Sequence, residues 1–128
     1  MTVSRHLLAS VLATAAATST IGMAEAQSSL SVPLALGPDG SVQAVQYSCS
    51  DGTEIAVQYV NAGSNSLALI PLAGETIVYV NVVAGSGARY VSGASEWWTK
   101  GDEARLSSEL GDAEAVDCSA ASGGKKSD

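Results

Sequence analysis

Histidine occurs once in this 128-residue chain, at His6, and cations are few: 6 Lys and Arg stand against 13 Asp and Glu, for a net charge of −7. Cysteine is limited to Cys49 and Cys118, and the longest apolar run is too brief and too rich in Ala and Thr to suit a membrane span. Each shortage excludes something. Without histidine beyond position 6, Ser-His and Cys-His nucleophilic triads have no base, and the commonest metal ligand is missing. Without a cationic patch, nucleic acid and anionic membranes are poor partners, because phosphate binding draws on clustered Lys and Arg. No phosphate-cradling Gly-rich loop precedes a helical pattern, so nucleotide binding has no support. The expectation is a chain with no catalytic residue, no metal and no cofactor.

What is present begins with an export signal. Arg5 and His6 give a short cationic start, LLASVLATAAATSTIGM follows, and Ala24-Glu25-Ala26 fits the small-x-small cleavage pattern. Residues 1–26 therefore read as a removed signal peptide, leaving a mature chain from Gln27 in the periplasm. No cysteine lies near the cleavage point, so no lipid anchor is expected. The remainder suffices for one domain with one modest core. In an oxidising compartment the two cysteines are most simply one disulfide, Cys49–Cys118, flanking nearly all of the patterned sequence.

Between the cysteines the hydrophobic period is two. VQAVQYSC (42–49), TEIAVQYV (53–60), SLALIPL (66–72) and ETIVYVNVVA (75–84) are rich in Val, Ile and Tyr, with turn-forming SDG, NAGSN and AG between them. ARYVS (88–92), EWWTK (96–100), EARLSSE (103–109) and EAVDCS (114–119) continue the rhythm. About eight short strands at this spacing predict an antiparallel barrel or sandwich over 42–119. Residues 27–41 read as a linker or an extra strand, in which Leu30, Val32, Leu34 and Leu36 alternate. That segment could also swap onto a second copy to give a homodimer. The tail 120–128 lacks core-forming residues and reads as disordered.

Acids are plentiful, yet Asp102/Glu103 and Asp112/Glu114 sit in turn-like polar surroundings that suit a solvated surface better than a tuned acid–base pair. A Ser86–Lys100 dyad would need a buried lysine, and the local sequence looks exposed. The segment SGARYVSGASEWWTKG (86–101) carries both tryptophans and one of the few cations. On a strand, neighbouring side chains point to opposite faces, so Glu96, Trp98 and Lys100 share one face and Trp97 takes the core. By pattern alone the segment is a hairpin with a structural Trp. The sharper alternative is a contact surface, where Gly87 and Gly93 let backbone approach a partner.

The chain resembles the family of periplasmic and membrane-bound inhibitors of c-type lysozyme. The resemblance covers about residues 45 to 118 and rests on YSCSDG (47–52), VQYVN (57–61), SGARY (86–90), WWTKGDEARL (97–106) and the closing Cys118, in that order. It implies a small eight-stranded antiparallel β-barrel with one disulfide and, lacking a lipid-attachment cysteine, the soluble periplasmic branch. It also implies a partner, c-type lysozyme, a cationic protein suited to this acidic chain. In the family the serine of SGxxY and the lysine before glycine enter the lysozyme cleft and meet its catalytic carboxylates. Here those positions are Ser86 and Lys100, with Gly87, Tyr90 and Gly101 completing the motifs. Arg89 is either a further contact or the partner of an acid in its own barrel. A second SGA at 92–94 lacks the following tyrosine. Two other readings stay open: a small barrel holding an apolar ligand, and a structural module of the envelope.

Overall fold

A computed structural model describes residues 28–121. The signal peptide expected over 1–26 and the tail beyond Ala121 lie outside the described residues. Ser28–Ser31 belong to a separate N-terminal unit, and they carry no regular structure. From Val32 to Gly40 there is likewise no strand, only a turn at Pro38-Asp39.

Eight strands follow in an unbroken meander: β1 Ser41–Cys49, β2 Glu54–Ala62, β3 Asn65–Leu72, β4 Glu75–Val82, β5 Ala88–Ser92, β6 Ser95–Lys100, β7 Glu103–Ser108 and β8 Val116–Ala120. Every neighbour pair is antiparallel, and β8 returns to β1, so the sheet closes into a barrel in which each strand has a partner on both sides among the described residues. The sandwich alternative is thereby excluded. Boundaries move by a few residues from the sequence expectation. Strand β7 stops at Ser108, whose Oγ accepts a hydrogen bond from the Leu110 amide and turns the chain out of the ladder.

Period-two patterning decides what lies inside. Tyr47, Ile55, Val57, Ala68, Ile70, Tyr79, Tyr90, Trp97, Ala104 and Cys118 form one buried cluster. Tyr79, Tyr90 and Trp97 from the neighbouring strands β4, β5 and β6 supply most of the bulk, and Ala104 and Cys118 from β7 and β8 are the small residues that leave room for it. Trp97 is fully enclosed, at 0% exposure. Its ring meets Tyr47 edge-on at 5.1 Å, and its Nε1–H donates to the Tyr59 hydroxyl at 2.8 Å. The Tyr47 and Tyr59 hydroxyls pair at 2.9 Å. An indole can be buried this deeply because its single donor finds an acceptor. Burial pushes both phenols above their ordinary value of 10.0.

The β1–β8 seam has the register pairs Tyr47↔Ala120, Ser48↔Ser119 and Cys49↔Cys118. The disulfide joins the last of these, with Cα atoms 3.9 Å apart and 69 positions between the cysteines. It covalently closes the ladder where first and last strands meet. In the chain-entropy account, a loop of that length stabilises by roughly 4 kcal/mol.

Candidate functional site

In a closed meander, alternate connections fall at the same end. The β4–β5 loop (83–87) and the β6–β7 turn (101–102) therefore share one end, while the β5–β6 turn (93–94) lies at the other. Ser86 and Lys100 thus meet at one rim. Ser92 and Gly93 of the second SGA sit at the far end, where Ser92 pairs with Ser95.

Backbone geometry fixes the loop against strand β6. Gly87 has φ +67°, and a Cβ there would lie 2.2 Å from the Thr99 carbonyl oxygen and 3.2 Å from Lys100 Cβ. Only glycine permits that approach. From the outer wall, Trp98 Nε1–H donates to the Ser86 carbonyl at 3.0 Å. Ser86 is exposed, and so is Lys100, the last residue of β6. Gly101 follows with φ +60° at the first central position of a two-residue turn, the backbone of a type II′ hairpin.

The cations divide sharply. Arg89 Nε lies 2.5 Å from Glu96 Oε2, and Arg105 Nε lies 3.7 Å from Asp117 Oδ1. Lys100 has no salt-bridge partner among the described residues, although Glu103 stands opposite it in register. Along the outer face beyond Lys100, Trp98, Glu103, Arg105 and Asp117 line an open groove of about 670 Å³. An uncommitted ammonium is therefore set in acidic surroundings.

The residues singled out from sequence separate into three kinds. Ser86, Lys100 and Gly101 are exposed at one rim, and Gly87 packs the loop onto β6. Arg89 is on the outer wall, held by Glu96. Tyr90 points inward at 8% exposure, its ring 5.6 Å from that of Tyr59. Tyr90 is thus part of the frame beneath the rim. The mouth beside it leaves a cavity of about 100 Å³ lined by Tyr59, Tyr90, Gly101 and Asp102, well below the roughly 300 Å³ at which ligand pockets begin. Sequence parity placed Trp98 outside but gave no sign of its bond to Ser86. That bond links positions twelve apart across a loop, and no local pattern encodes it.

Fold and site together define a class: a filled, disulfide-closed barrel with a pinned loop and an uncommitted cation at one rim. Residues 47–115 match the family described as membrane-bound lysozyme inhibitor of c-type lysozyme, and the chain belongs to that family. A protein of Pseudomonas aeruginosa named membrane-bound lysozyme inhibitor of C-type lysozyme is 46% identical over 76 residues, 57% of this chain and 60% of the relative. One of the same name from Cupriavidus necator is 43% identical over 65 residues, 51% of this chain and 52% of the relative. The chain thus spans little more than half the length of these relatives. Among solved structures, Pseudomonas aeruginosa MliC in complex with hen egg white lysozyme is similar with a TM-score of 0.59 and 38% identity, covering 74% of this chain and all of that one.

Proposed function

We propose that this protein inhibits c-type lysozyme in the periplasm by occupying the active-site cleft, without covalent chemistry. The observation that carries the reading is Lys100, an exposed ammonium with no acid bound to it among the described residues, beside a serine whose loop is fixed at two points. The similar Pseudomonas protein has been solved bound to hen egg white lysozyme, which supports the same class of partner here.

The chemistry is consistent with that cleft. A retaining glycosidase holds one carboxylic acid and one carboxylate about 5 Å apart. The Lys100 ammonium pairs with the carboxylate, and the Ser86 hydroxyl bonds the acid. Both groups are then unavailable to polysaccharide, and the barrel rim blocks its path. Gly101 lets the chain turn immediately behind Lys100, so the rim stays narrow enough to enter a cleft. Arg89, neutralised by Glu96, contributes to the wall of this surface, and Tyr90 supports it from within. An acidic barrel approaching a cationic enzyme associates faster than a neutral one.

The test is inhibition of c-type lysozyme lysis of a bacterial suspension by the purified mature protein, with g- and i-type lysozymes as controls. Lys100→Ala should weaken inhibition by about 2 to 5 kcal/mol, the range for truncating one partner of a buried charge pair. Ser86→Ala should weaken it by about 1 to 3 kcal/mol. Full inhibition by the double variant would refute cleft insertion, and no inhibition by the wild type would leave a structural envelope role. Periplasmic location and cleavage after Ala26 are checked by N-terminal sequencing of the exported protein. An apolar ligand inside the barrel is not favoured, because Trp97, Tyr79, Ile70 and Val57 fill the interior.

A further inference from the structure

We infer that Trp98 is the positioning residue for Ser86: its indole N–H holds the serine carbonyl so that the hydroxyl is presented beside Lys100. The inference rests on the inhibitor reading above and extends it to a residue that does not itself need to meet the enzyme. Alternation along β6 sends Trp98 outward, onto the same face as Lys100 two residues on. An outward tryptophan on a solvated wall calls for an explanation, since that position would ordinarily suit a polar side chain. Its donor supplies one.

The bond from Trp98 Nε1 to the Ser86 oxygen is 3.0 Å long, and among the described residues it is the only side-chain hydrogen bond made to loop 83–87. The rest of that loop offers little to hold it. Val83 is 94% exposed, and Gly85 has open space around it. Beyond Ser86, Gly87 rests on the Thr99 carbonyl. The serine is therefore fixed by an indole on one side and by backbone contact on the other, both supplied by the strand that ends in Lys100. Trp98 has a charged residue beside it on each neighbouring strand. In register it stands between Arg89 on β5 and Arg105 on β7, each of which is tied to an acid. A loop already in its bound conformation loses less freedom on association, which raises affinity without any new contact.

The experiment is a double-mutant cycle read as the inhibition constant against a c-type lysozyme. Trp98→Phe keeps an aromatic ring on the outer wall while deleting the donor together with part of the ring area, which is why the cycle with Ser86→Ala decides the reading. It should weaken inhibition about tenfold, the worth of one hydrogen bond. In a Ser86→Ala background the same change should cost about twofold or less, because no hydroxyl remains to be positioned. In a Lys100→Ala background it should cost close to the full tenfold. Amide exchange at Gly87 should accelerate in Trp98→Phe while the melting temperature stays near that of the wild type, which separates positioning from folding. Equal losses in the wild-type and Ser86→Ala backgrounds would overturn the inference, since the indole would then act on partner or fold directly. Wild-type inhibition by Trp98→Phe alongside a loss in Ser86→Ala would overturn it alone and leave the inhibitor reading standing. Unchanged inhibition by Ser86→Ala would remove the role of Ser86 and the positioning role together.

Discussion

The two SGA copies provide a matched pair of perturbations, Gly87→Ala and Gly93→Ala. Both glycines have left-handed backbones, φ +67° and +57°, so an alanine at either position carries about 1 to 2 kcal/mol of conformational strain. Their surroundings differ. A Cβ at Gly93 meets nothing within 4 Å, whereas at Gly87 it would stand 2.2 Å from the Thr99 carbonyl oxygen. That oxygen belongs to the β6 backbone and cannot rotate away. Reaching an ordinary contact of 3.4 Å therefore requires the loop to lift by about 1 Å. A shift of that size stretches the 3.0 Å bond from Trp98 to Ser86 beyond useful length and carries the serine away from Lys100. Gly93→Ala should lower the melting temperature by several degrees, as expected for a domain of this size, and inhibit lysozyme as the wild type does. Gly87→Ala should melt at a similarly lowered temperature but inhibit 10- to 100-fold less well, roughly one to two hydrogen bonds. Thermal unfolding and the lysis assay, run on both variants, measure the two effects separately. If both alanines reduced inhibition equally, or if Gly87→Ala had no effect on it, the close approach of loop and strand would have no part in binding.

Further outcomes follow from three other positions, Ala73, Tyr59 and Asp51. The β3–β4 turn has positive φ at both central residues, Ala73 at 51° and Gly74 at 82°, which is type I′ geometry with alanine where asparagine is preferred; Ala73→Asn should stabilise by about 1 kcal/mol in urea unfolding. Tyr59→Phe should destabilise by about 1 to 3 kcal/mol at neutral pH, because Trp97 Nε1–H and the Tyr47 hydroxyl each lose a partner. The Tyr59 phenol is raised in the fold, chiefly by burial, so the native state keeps its proton after the unfolded chain has released one. Stability is then full below pH 10 and declines as pH rises above it; the decline should be shallower in Tyr59→Phe, measured by urea unfolding at pH 7 and pH 10.5. Asp51 is the acid-side counterpart, its carboxyl lowered first by the Thr53 hydroxyl and then by the Thr53 amide. Its contribution is present above the ordinary carboxylate range and lost as pH falls below it, so Asp51→Asn should flatten the acid limb of the stability profile.

Most of the fold was legible because one physical signal, alternation between two faces, runs through nearly every strand. Trp97 inside and Trp98 outside followed from parity alone, and the Cys49–Cys118 pairing followed from export and a count of two. Barrel and sandwich could not be separated that way, since closure depends on β8 meeting β1, a contact between positions far apart in the chain. The same distinction holds at the proposed site. Ser86 and Lys100 were visible through motif resemblance, but the bond between Trp98 and Ser86 and the contact between Gly87 and Thr99 join a loop to a strand. Tyr90 shows the converse. The motif marked it as part of the surface, while its strand parity with Ala88 and Ser92 on one side of β5 carries it under the rim, against Tyr59.

Strand β6 joins the core and the proposed binding rim in six residues, and its period of two keeps them apart. Ser95, Trp97 and Thr99 face inward: Ser95 meets the Tyr79 hydroxyl at 2.8 Å, Trp97 fills the centre, and Thr99 lies buried beneath Gly87. Glu96, Trp98 and Lys100 face outward, where the first neutralises Arg89, the second binds the loop carbonyl and the third remains unpaired among the described residues. A slip of one residue would exchange these sets, placing an ammonium in the core and an indole donor in water. The bond from Trp97 to Tyr59 opposes that slip, since it can form only with Trp97 inside. The buried tryptophan thus sets the register that aims the exposed one. Two adjacent residues of the same type thereby serve different ends, one in the core and one on the outer wall.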